Sequence, residues 1–131
     1  YSQNPKPYLD GRNWDMAFIE KRLDDVLAKG GYDFVFTMLP DSTQHAHHKT
    51  ATLAALRAVQ RYKGPKKPVV LGGKEQNIGY EIQFAELKGY PETRIRKGAP
   101  LQTFSRRARF GHRNLLSYMI VADWVTAEYK T

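Results

Sequence analysis

The sequence predicts an α/β domain built on a mostly parallel, doubly wound sheet, and three observations carry that prediction. Phe34-Val35-Phe36-Thr37-Met38-Leu39 is a short apolar run of the kind a buried strand needs, and Pro40 ends it because proline brings no ladder donor. A polar loop and an Ala/Leu-rich helical pattern follow, and then a second apolar run, Pro68-Val69-Val70-Leu71. An amphipathic pattern also closes at Gly30-Gly31, directly ahead of the first run, and helices feeding strands this closely are the grammar of α/β folds.

Taken in order, residues 1–13 read as an extended lead-in broken by Pro5, Pro7 and Gly11. Asn13 is the expected N-cap of a helix reaching about Lys29. Met16, Ile19, Leu23, Val26 and Leu27 recur in steps of three and four and make one apolar stripe, with Glu20, Lys21, Asp24 and Asp25 turned to water. Gly30-Gly31 closes it, since glycine takes the left-handed cap conformation without a Cβ penalty. Residues 32–37 form the first strand and residues 48–62 the second helix. In that helix Leu53, Leu56 and Val59 are the apolar line, and Ala51, Ala55 and Ala58 a small-residue face. Lys63-Gly64-Pro65 stops it, and residues 68–71 give the second strand, so that residues 32–71 form a parallel, right-handed β-loop-α-β unit.

The grammar then changes. Residues 80–87 alternate as in a half-exposed strand, residues 89–102 are irregular, and residues 104–113 make a basic loop with Phe104 and Phe110 interleaved. From Asn114 a last helix carries Leu115, Leu116, Met119, Ile120, Val121, Trp124 and Val125. Apolar over most of its circumference, it is expected to be wedged against other elements.

A chain of 131 residues gives a single domain with a modest core. The absence of cysteine excludes disulfides, thiolate zinc sites and thiol nucleophiles, and no apolar run approaches the roughly 20 residues that span a bilayer. The formal charge of +8 is concentrated late: from Lys88 onward nine cationic residues face only Glu92, Asp123 and Glu128, leaving +6 there. That balance suits anionic partners, whether phosphorylated or acidic small molecules, nucleic acid or an acidic protein surface, and equally a solvated basic face.

Three of the four histidines lie in His45-Ala46-His47-His48, in the loop leaving the first strand. In open α/β sheets ligands bind at the carboxyl ends of strands, which sets a metal or proton-transfer site against the plainer reading of a solvated His-rich turn. His45 and His48 stand three residues apart where the helix begins, so both rings can face one pocket. Neutral imidazole is the commonest side-chain metal ligand and exchanges protons near neutrality; a helix N-terminus disfavours its protonation. Catalytic zinc takes three protein ligands, and the chain offers one or two: it has no HExxH, no DxD and no second histidine cluster, and His112 stands alone.

Strand, loop, H-A-H-H, Ala/Leu-rich helix and Pro-Val-Val-Leu strand together resemble the second half of the PIG-L/LmbE-like N-acetylglucosaminyl deacetylases, whose corresponding motif is H-P-D-H or a relative of it. The closing run Ala127-Glu128-Tyr129-Lys130-Thr131 is similar to the A-E-H-K-S end of some members, whereas residues 74–113 match poorly. Ala46 and His47 stand where Pro and Asp are commoner. The resemblance implies a three-layer Rossmann-like fold, with the second half of it in this chain. It implies zinc, or another divalent metal, held in part by His48, with His45 as the catalytic histidine beside the reacting carbonyl and no role for His47. The substrate it implies is an N-acetylated amino sugar or a conjugate, on which Arg106, Arg107 and Arg109 are candidates to hold a phosphate or carboxylate. The family's A-H-P-D-D signature, which supplies the other ligands and the general base, has no match in residues 1–29. The expectation is a C-terminal portion of a larger deacetylase domain, inactive without that N-terminal segment. The segment of the same protein is then a partner, and a homo-oligomer is compatible with an open sheet edge.

Two other classes stay open. A nucleic-acid-binding module would use the late arginines with Phe104, Phe110 and Tyr118, and leaves the histidines unexplained. A non-catalytic α/β interaction fragment would make H-A-H-H incidental.

Overall fold

The computed structural model describes residues 2–74, 84–94, 105 and 107–128. The chain divides into two compact units, Tyr1–Arg96 and Lys97–Thr131.

Within the expected extended lead-in, residues 6–9 instead form a single helical turn, α1 (Lys6–Leu9). Its prolines are compatible with helix because both stand at its start, where a missing N–H costs nothing. The next helix, α2 (Met16–Gly30), is capped by Asp15 rather than Asn13: the Asp15 carboxylate accepts from Phe18 N at 3.0 Å. Gly31, at φ 59°, supplies the left-handed C-cap. Strand β1 (Phe34–Met38) follows, then α3 (Ala46–Arg61) and β2 (Val69–Gly73). The two strands pair in parallel, Phe34 opposite Val69 through Met38 opposite Gly73, so the expected β-α-β unit is present. The ladder continues past β1 as Leu39 N donates to Gly73 O at 2.7 Å. A Cβ on Gly72 would stand 3.1 Å from Leu39 Cδ1, so glycine there permits the close approach.

Helices α2 and α3 cover one face of this sheet. Leu27, Ala58 and Val59 form the buried cluster, with Leu23, Val35, Tyr62 and Val70 packed on it. Leu53 is fully buried and contributes about 2 kcal/mol by its removal from water. The inward alanines are Ala46, Ala54 and Ala58, while Ala51 is exposed, so the small-residue face is rotated from the expected one. Glu20 and Asp24 do not simply face water: Arg61 pairs with both and Arg57 approaches Glu20, which docks α3 on α2 along its polar margin.

Among the described residues of the first unit, no element covers the other face of the sheet. Phe34, Phe36, Met38, Val69 and Leu71 are all exposed, Phe36 at 78 %. Parallel sheets normally carry cover on both faces, and an apolar patch of this kind drives association. The 131-residue chain is therefore expected to self-associate, and Phe36→Lys to weaken that association without lowering the thermal midpoint. Sedimentation velocity reads both species; an unchanged size distribution in the variant would remove this face as the cause.

Of the alternating run at residues 80–87, residues 80–83 lie outside the described residues. Residues 84–87 form no strand: Leu87 N donates to Thr93 Oγ1 and Tyr90 N to Leu87 O, folding the segment into a turn before a 3-10 turn at Pro91–Thr93.

In the second unit the basic loop is partly a hairpin. Strands β3 (Arg109–Phe110) and β4 (Leu116–Ser117) pair antiparallel, joined through Gly111 at φ 76° and a 3-10 turn at His112–Asn114. The last helix, α4 (Tyr118–Glu128), begins four residues later than expected and buries none of its residues; Met119, Ile120, Trp124 and Val125 are exposed. The expectation that it is wedged against other elements is not met among the described residues. No helix among the described residues is long and apolar enough to cross a membrane.

Candidate functional site at the carboxyl end of the parallel strands

Both parallel strands end on the same side, and the loop between β1 and α3 begins there. Asp41 is its anchor, 5 % exposed. Its carboxylate accepts from Thr43 N at 2.8 Å and from Thr43 Oγ1 at 2.6 Å, an Asx-turn, and pairs with the Lys74 ammonium just beyond β2. The loop is thus tied to the ends of both strands. Burial acts to raise the Asp41 pKa; the Lys74 ammonium and the two Thr43 bonds outweigh it and hold the carboxyl down to about 2, from an ordinary 3.8. With the folded value below the unfolded one, the linked stability, about 2 kcal/mol, is full above about pH 4 and is lost as pH falls toward 2. Asp41→Asn is expected to flatten that acid limb of the stability–pH curve. An acid-unfolding midpoint identical to the parent's would exclude Asp41 as its source.

The loop hands over to α3 at His45, whose extended backbone (φ −64°, ψ 151°) makes it the N-cap; its carbonyl accepts from Lys49 N at 3.1 Å. The helix begins at Ala46, slightly earlier than the sequence pattern suggests, and His48 lies in its first turn. The His45 and His48 ring centroids are 5.9 Å apart and inclined at 75°, an edge-to-face contact between the two rings. His48 Nδ1 lies 3.0 Å from Gln44 Oε1, one helical turn back. Both rings are exposed.

His47 is occupied otherwise. It stacks on Trp14 with centroids 5.5 Å apart and planes 12° from parallel, and Tyr8 meets it edge-on at 4.7 Å. The same segment is held by Ala46 N, which donates to Ser2 O at 2.9 Å, and by Lys49. The Lys49 side chain is only 4 % exposed, and its ammonium donates to Gln3 O at 3.1 Å, with Ser42 O at 3.5 Å. Burying an ammonium costs several kcal/mol unless acceptors replace water, and these carbonyls do so while lashing residues 2–3 to the histidine loop. Thr52 Oγ1 adds a bond to Met38 O at 2.8 Å, fixing α3 to the end of β1.

Among the described residues no three His, Asp or Glu side chains gather as a metal site. What the described residues offer a metal here is one imidazole hydrogen-bonded to a neighbour, His48, with a second beside it. Asp41, the nearest carboxylate in sequence, is committed to Lys74 and Thr43. Where His48 Nδ1 donates to Gln44 Oε1, the opposite ring nitrogen is left for coordination.

Arg107 and Arg109 lie in the second unit, both exposed, at the start of the hairpin, where Arg107 N donates to Ser105 Oγ at 3.1 Å. Arg106 lies outside the described residues. Sequence reasoning passed over Gln44, Asp41, Lys49 and Lys74. The first two left a signal, a Pro-Asp turn and a polar residue four before a histidine. A buried lysine leaves none, since lysine is almost always exposed.

No protein-family model matches this sequence, and neither does any curated protein or solved structure compared with it.

Proposed function

We propose that this chain supplies part of the centre of a zinc-dependent deacetylase that hydrolyses the N-acetyl group of an N-acetylglucosamine-type amino sugar or conjugate, as in the PIG-L/LmbE-like family it resembles. The observation that carries this reading is the pair His45–His48 at the carboxyl end of β1, with His48 Nδ1 on Gln44. In this reading the β1–α3–β2 unit belongs to a three-layer Rossmann-like sheet whose bare face other elements cover.

His48 would hold the metal through Nε2; when bound, zinc supplies a water of lowered pKa and a Lewis acid for the acetyl carbonyl. His45 donates a proton to the developing oxyanion or to the leaving amine. The remaining ligands and the general base are assigned by the resemblance to an A-H-P-D-D segment that this sequence lacks. The activity is accordingly proposed of the complete protein that carries both.

Acetate release from N-acetylglucosamine conjugates by that complete protein tests the reading. It is expected to stop on chelation and return with zinc. Absence of acetate release from every conjugate offered, with zinc present, would overturn it.

A further inference from the structure

We infer that Gln44 is a positioning residue: it accepts the Nδ1–H of His48 and so fixes the ring in the tautomer whose Nε2 lone pair is free. A carbonyl oxygen can only accept, so the ring nitrogen 3.0 Å from Gln44 Oε1 carries the proton. A neutral imidazole has one N–H, and Nε2 is then the bare nitrogen. Without such a partner a neutral histidine in water favours the opposite tautomer, with the proton on Nε2, which cannot coordinate without first losing it.

The amide is placed for this before any ligand arrives. Gln44 N donates to Asp41 O at 3.3 Å, and Asp41 is fixed by Thr43 and by Lys74 at the end of β2. His48 is fixed in turn by the first turn of α3, four residues on. The backbone carrying both side chains is thus held from the sheet through Asp41 and by α3, one helical turn apart. Ligating histidines characteristically donate their second N–H to such an acceptor, and loss of that partner costs about 10- to 100-fold in metal affinity.

The tautomer rests on the geometry alone; its use in metal binding rests on the deacetylase reading, and the experiment separates the two. The complete protein, labelled with [15N]histidine and kept free of metal at a pH where the ring is neutral, is examined by long-range 15N–1H correlation. His48 is expected as the Nδ1–H tautomer, Gln44→Ala is expected to shift it toward Nε2–H, and Gln44→Glu to keep Nδ1–H. A His48 already protonated on Nε2 in the parent, the amide then donating to Nδ1, would overturn the inference. So would a tautomer indifferent to Gln44→Ala. Zinc titration of the same proteins forms the second arm: affinity falls about 10- to 100-fold in Gln44→Ala and recovers in Gln44→Glu. If the tautomer responds as stated and none of the proteins binds zinc, the positioning role of Gln44 stands and the deacetylase reading falls.

Discussion

His48→Ala in the complete protein is expected to lose bound zinc and hydrolysis together. Catalytic zinc sites hold the ion with three protein ligands, so removing one takes away a third of the donor set and the geometry that keeps a water position open. The residue sits in the first turn of α3 with Nδ1 beside Gln44, whose loop is tied to both strands through Asp41. Because both rings are exposed, the alanine removes little packing and the fold should persist. Metal analysis beside acetate release reads both losses. A His48→Ala protein with full zinc and full turnover would show the ring to be an ordinary polar neighbour of the loop.

His45→Ala is expected to separate the two readouts. Its role in the proposed reaction is to donate to charge that develops in the transition state, and loss of one such donor costs on the order of 100- to 1000-fold in rate. Zinc should remain near one equivalent, and KM should move far less than kcat, because the lost interaction strengthens only as the carbonyl becomes an oxyanion. In the proposed reaction one acetyl group meets both rings, whose centroids are 5.9 Å apart. Zinc lost in step with activity would instead make His45 a ligand. His47→Ala should affect neither readout strongly, since that ring is spent on Trp14 and Tyr8; its expected cost is about 1 kcal/mol of stability.

The parts of the fold that were legible in the sequence are those where one local rule dominates. Pro40 and the apolar runs on either side of an Ala/Leu-rich helix marked β1, α3 and β2, and their parallel pairing followed from the connection between them. Gly31 marked the end of α2 because a left-handed cap has few other solutions. Where two rules compete, the pattern misled. Pro5 and Pro7 read as breakers, yet at a helix start proline is tolerated, and α1 forms there. Asn13 and Asp15 are both good caps, and the choice fell to the one whose carboxylate reaches Phe18 N. The alternating residues 84–87 were drawn into a turn by Thr93, a contact six residues away that periodicity does not register. The apolar α4 suggested burial, but apolar character states a demand for cover and not that cover is present.

The site divides in the same way. The histidines announced themselves by type and spacing, and the loop they occupy was correctly placed at the end of a strand. Their supports did not. Lys74 reaches Asp41 from 33 residues away, and Lys49 reaches the backbone of Gln3 across 46. The Asp41–Lys74 pair is set by the closing of the β-α-β unit, which brings β2 beside β1, and the Lys49–Gln3 bond by the folding of the first residues and α1 onto α3. No window of sequence contains them.

The most direct test of the account is anomalous diffraction at the zinc edge from crystals of the complete, zinc-loaded protein. The account predicts one zinc about 2.0–2.1 Å from His48 Nε2, with His48 Nδ1 still on Gln44. Zinc bound elsewhere, or bound to Nδ1 with Gln44 displaced, would contradict it.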